Sequence, residues 1–65
     1  MTTYDYFIEK PARAYAVGAW TDKPEDAKGE ADAAHKDTGN GTIVLRRYFA
    51  QKGHMFRAYA IAPDA

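Results

Sequence analysis

Thr42-Ile43-Val44-Leu45-Arg46-Arg47-Tyr48-Phe49-Ala50, then Gln51-Lys52-Gly53, then His54-Met55-Phe56-Arg57-Ala58-Tyr59-Ala60-Ile61-Ala62, is the stretch that decides the fold. Both long runs are rich in β-branched and aromatic residues, and the short link between them ends in glycine, the pattern of a β-hairpin. With Gln51 and Lys52 in a type I turn and Gly53 left-handed, Ala50 is expected to pair with His54 and Arg47 with Arg57. Side chains then alternate between two faces. One face carries Val44, Arg46, Tyr48, Phe56, Ala58 and Ala60; the other carries Ile43, Leu45, Arg47, Phe49, Met55, Arg57, Tyr59 and Ile61. A slip of one residue would exchange the faces of one strand.

Upstream, Thr21-Asp22-Lys23-Pro24-Glu25 reads as a helix start. Asp22 offers a side-chain acceptor to the first turn, Glu25 completes a capping-box spacing, and Pro24 loses no helical hydrogen bond there. Ala27, Ala31, Ala34 and Thr38 recur at helical spacing, and Gly39-Asn40-Gly41 stops the run. This stripe is nearly all alanine, so the helix contributes close approach and the sheet must supply bulk. Two further strands are expected before it, at Tyr4 to Glu9 and at Arg13 to Trp20, separated by Lys10-Pro11. The second of these places Tyr15, Val17 and Ala19 on one side and Ala14, Ala16, Gly18 and Trp20 on the other. The order β-β-α-β-β with short links predicts a two-layer α+β domain over residues 1–65, one helix on a four-stranded antiparallel sheet.

Sixty-five residues leave room for a single small core. The chain contains neither cysteine nor serine, which excludes disulfides, thiolate metal sites and Ser or Cys nucleophiles, and a reducing cytoplasm is the expected setting. No run is long and apolar enough to cross a membrane, and no basic, then apolar, leader opens the chain. Net charge is zero but unevenly placed: Asp22 to Asp37 holds six acids against three lysines, and Gly41 to Ala65 holds four basic residues against Asp64 alone. His35 and His54 stand nineteen residues apart, without metal-ligand spacing, and read as a helix-end residue and a turn-flanking residue. The acids of the helix are explained by capping and solvation, and the glycines at 39 and 41 follow a helix instead of opening one. No enzyme, cofactor or metal is expected.

One helix buries one sheet face. Two opposed arginines under it would each need an acid that the alanine stripe lacks, so the Val44, Phe56, Ala58 and Ala60 face is the expected helix seat. The face with Arg47, Phe49, Met55, Arg57 and Tyr59 is the expected open side and the candidate partner-binding set. Arg, Met and aromatic side chains favour a protein or ribonucleoprotein partner, homodimerisation included. Two other readings stand beside it. The arginines can pair with Asp5 and Glu9 on a merely shielded sheet, or the basic aromatic hairpin, with Arg46, Arg47, Arg57 and Lys52 beside Tyr48, Phe49, Phe56 and Tyr59, can bind RNA or single-stranded DNA directly.

The acidic Ala-striped helix running into Gly41-Thr42-Ile43-Val44-Leu45-Arg46 and then an aromatic hairpin resembles the arrangement in some small phage-encoded anti-CRISPR proteins. The likeness covers roughly residues 22 to 62 and lies in the order and length of the elements. It implies a non-enzymatic inhibitor that binds a CRISPR-Cas complex through surface charge. No binding residue carries over by position, and this chain lacks the strong acidity of the members that mimic DNA.

Overall fold

The computed structural model describes residues 6–63. They form strand β1 (Ala14–Ala16), helix α1 (Pro24–Thr38), and strands β2 (Thr42–Phe49) and β3 (Gly53–Ile61). The sheet is antiparallel in the order β1-β3-β2, so the long hairpin is flanked on one side by a three-residue strand. The fold is α+β, with three strands among the described residues instead of four. Of the expected first strand, Tyr4 and Asp5 lie outside the described residues, and 6–9 are not in a strand. Tyr6 is held through its side chain: its ring meets Phe56 edge-on at 5.9 Å, with Lys28 Nζ 5.9 Å from its centroid. Phe7 and Ile8 are exposed, Ile8 by 85%, so the alternation of this segment does not serve a ladder.

The hairpin turn begins one residue earlier than expected. Lys52 N–H donates to Phe49 O at 2.9 Å, which makes Ala50 and Gln51 the central residues, and Gly53 follows at φ 76°. A side chain at that φ is strained, which is why glycine stands there. Phe49 therefore pairs with Gly53, Arg47 with Met55 and Leu45 with Arg57, a shift of two residues from the expected pairing. The two arginines do not face each other. Because side chains alternate with period two, an even shift leaves the membership of each face unchanged.

Helix α1 sits on the face expected of it. Ala27 and Ala31 join Val44 and Ala58 in one buried cluster, with Val17 and Phe56 packed against it. Methyl side chains let the helix approach closely, and Ala34 completes the stripe; Thr38 is exposed and turns its hydroxyl back to Ala34 O at 3.0 Å. The helix start differs from the capping box. Lys23 is the N-cap and no side chain caps it; instead Thr21 Oγ1 accepts from Lys23 N–H at 3.2 Å, and Pro24 opens the first turn. At the other end Gly39, at φ 71°, donates to His35 O at 2.7 Å, and His35 Nδ1 bonds Asn40 O at 2.6 Å. His35 is thus a helix-end residue, tying the last turn to the link that enters β2.

The expected strand Arg13 to Trp20 is regular only over Ala14–Ala16. Val17 N–H still donates to Ala58 O, and the ladder resumes where Thr21 and Phe56 exchange both backbone bonds at 2.8 and 2.7 Å. Three residues on this side, Gly18, Ala19 and Trp20, therefore stand against one on β3, Arg57, and form a bulge. A Cβ on Gly18 would lie 3.2 Å from Glu30 Cγ, so the bulge passes close beneath the helix. This bulge throws Trp20 across the sheet's second face, where it packs on Ala14, Ile43, Leu45 and Tyr59. The described residues form two small cores, one on each side of the hairpin.

Candidate functional site

The second sheet face is closed at its base and open only at its tip. Ile43, Leu45 and Tyr59 are buried, with Leu45 at 0% exposure. Arg57, which comes up between them, is half-buried and fully engaged: Nε donates to Gly18 O at 2.6 Å, and the guanidinium lies 5.8 Å from the Trp20 ring and 5.9 Å from the Tyr59 ring. The bulge leaves the Gly18 carbonyl outside the ladder, and Arg57 supplies its donor. A cation between two aromatic faces and a backbone acceptor is a structural clasp.

Beyond Phe56 the hairpin loses its third strand. Burial along β2 changes abruptly, from buried at Thr42 to Leu45 to exposed at Arg46 to Phe49. About 10 Å of ribbon, the three β2 residues after the Arg46–Phe56 pair, thus extends two-stranded beyond the third strand, at the usual rise per residue. On one side of this arm Tyr48 is 66% exposed and meets His54 edge-on at 5.4 Å, with Arg46 beside it. Ile8 closes a shallow cleft of about 280 Å³ with Arg46, Arg47, Tyr48 and His54. On the other side Phe49 meets Trp20 edge-on at 5.2 Å, and Trp20, Phe49, Ala50, Gln51, Lys52 and Met55 line a cleft of about 470 Å³. Its floor is apolar and its one charged wall is Lys52.

The five candidate residues share a face but not a role. Arg47 and Phe49 are exposed on the arm; Met55 is buried at 8% exposure beneath the larger cleft; Tyr59 is buried in the core at 7%. Arg57 belongs to the clasp. The expectation that this whole face stands open is therefore corrected, and the cause is Trp20, which covers it from a bulge. Of the acids expected to pair with the arginines, Asp5 lies outside the described residues; Arg57 Nε donates to Gly18 O. Trp20 is the residue that sequence reasoning missed. Its signal was available: it is the chain's lone tryptophan, and it follows Gly18-Ala19, small residues that permit a bulge.

Among the described residues no group of His, Asp and Glu converges to hold a metal ion, and no helix is long and apolar enough to cross a membrane. What the arm can offer is contact: cations and π-faces on a ribbon whose base is rigidly packed. No family model matches the chain, and no curated protein or solved structure matches it.

Proposed function

We propose that this chain is a non-enzymatic binding module, acting in the cytoplasm, that engages a protein or ribonucleoprotein partner through the projecting arm of its hairpin. One observation carries this reading: Arg46, Arg47, Tyr48 and Phe49 are exposed in unbroken succession on a ribbon anchored by buried residues. Arg and aromatic side chains dominate interface energetics, and a pre-ordered ribbon loses little entropy on docking. Met55 and Lys52 contribute the cleft at the turn, while Arg57 and Tyr59 support the arm from below. Inhibition of a CRISPR-Cas complex is the particular activity that the anti-CRISPR resemblance implies.

Comparative capture tests the reading. Immobilised wild-type chain, the arm variant Arg46→Glu/Arg47→Glu and the helix-surface variant Lys36→Glu are exposed to one lysate. A species retained by wild type and Lys36→Glu and lost with the arm variant is expected; equal capture by all three refutes it. For the CRISPR activity, target cleavage by a purified surveillance complex should fall on adding the chain, and unchanged cleavage removes that activity.

A second reading, direct binding of RNA or single-stranded DNA, is favoured by the Tyr48 ring, which stands exposed beside Arg46 and offers a stacking surface with an adjacent cation. Titration with short oligonucleotides across a salt series decides it. Phosphate-driven affinity must fall steeply with salt, and no binding at low salt eliminates this reading.

A further inference from the structure

We propose that the outer edge of β2, from Arg46 to Phe49, is a docking edge for an extended acidic peptide segment, which adds to the sheet as a further strand. This deepens the protein-partner reading and rests on it. Among the described residues β2 has one neighbour, β3, with which it makes eight successive pairs without a bulge. The backbone groups of the other side are left to point outward. Exposed edges are ordinarily blunted by proline, bulges, a covering element or charged side chains; among the described residues this half of β2 has no proline and no bulge, and its charge, on Arg46 and Arg47, repels basic strands while leaving acidic ones able to pair. An added strand satisfies those groups and takes its specificity from the flanking side chains.

Those side chains define the occupant. Alternation places Arg46 and Tyr48 on one side of the ribbon and Arg47 and Phe49 on the other, so an incoming strand meets one cation and one aromatic ring on each face. Neither Arg46 nor Arg47 has an acidic partner among the described residues, and Lys52 at the turn adds a third positive charge. Two adjacent acids opposite the arginines, with two β-branched residues opposite Tyr48 and Phe49, complement the edge; in an antiparallel strand that order is Val-Val-Glu-Glu. A second copy of this chain fits it poorly. Antiparallel pairing of two β2 edges centred on Arg46 or on Arg47 sets that arginine directly opposite its own copy, and opposed like charges destabilise a ladder.

The test uses the full chain and a blocked peptide, Thr-Val-Val-Glu-Glu-Thr. Saturable binding is expected, with amide exchange slowed at alternate residues of Arg46 to Phe49 and unchanged along α1. Replacing both peptide glutamates by lysine, or N-methylating alternate peptide amides, should abolish it. Arg46→Glu/Arg47→Glu should weaken binding by about tenfold or more while the far-ultraviolet dichroism stays as in wild type. Binding without β2 amide protection, equal binding of the lysine peptide, tighter binding of a short oligouridylate, or dimerisation of the free chain through β2 each overturns the proposal. Arm-dependent capture of a protein together with no peptide binding removes the added-strand mode alone and leaves the broader reading standing.

Discussion

Replacing Arg57 by methionine keeps an apolar stem of similar length and removes the clasp. The structure sets the magnitude: the bond from a charged group to Gly18 O contributes about 1.5–3 kcal/mol, and each ring contact about 0.5–1 kcal/mol. Because Arg57 is only half-buried, the lower ends apply, and Arg57→Met should cost about 2.5 kcal/mol. A domain of this length has about 3–10 kcal/mol in all, so the variant sits near the limit of folding. Urea unfolding followed by the fluorescence of Trp20 is the natural assay, since the chain has a single tryptophan and it lies against Arg57. With a slope of about 1 kcal/mol per molar urea, the midpoint should fall by about 2.5 M. Arg47→Met, exposed and opposite Met55, should move stability by no more than about 0.5 kcal/mol. In a double-mutant cycle with Trp20→Leu, followed by far-ultraviolet circular dichroism because that variant lacks the fluorescent probe, a coupling of about 0.5–1 kcal/mol is expected. A loss at Arg57 no larger than that at Arg47 would refute the clasp and restore Arg57 to the binding surface.

Gly29 lies on the exposed side of α1 with nothing within 4 Å of where a Cβ would stand, so Gly29→Ala should stabilise by about 0.5–1 kcal/mol, read as a higher thermal midpoint. Gly53→Ala, at φ 76°, should instead destabilise by about 1–2 kcal/mol and loosen the turn, seen as faster amide exchange at Lys52. Thr42 is buried at 1% exposure and its hydroxyl has no hydrogen-bond partner among the described residues, so Thr42→Val should gain about 1 kcal/mol in the same urea assay. Ala31, at 0% exposure between the helix and Val44, leaves no room for bulk; Ala31→Leu should cost about 1–3 kcal/mol and displace α1, visible as shifted Val44 methyl resonances.

The hairpin, its two faces and the alanine-striped helix were legible in the residues, because each follows from a local periodicity; the choice of face beneath the helix followed from the cost of burying arginine under an alanine stripe. Even the misplaced turn did no harm to the faces, since moving the pairing by two residues preserves which side chains share a side. The N-terminal strand was misread because alternation at Tyr6 and Ile8 resembles a ladder, while what holds Tyr6 is one ring contact with Phe56. The exposure of the second sheet face was misread for a different reason. Whether Arg57 and Tyr59 meet solvent depends on Trp20, thirty-seven residues before Arg57 in the chain, and on a bulge whose existence appears only when Val17 and Thr21 are both paired with β3. Periodicity within a segment determines which way its side chains point; what lies over them is set by contacts between distant segments, and here those contacts turned half of a sticky face into a second core and left only the arm exposed.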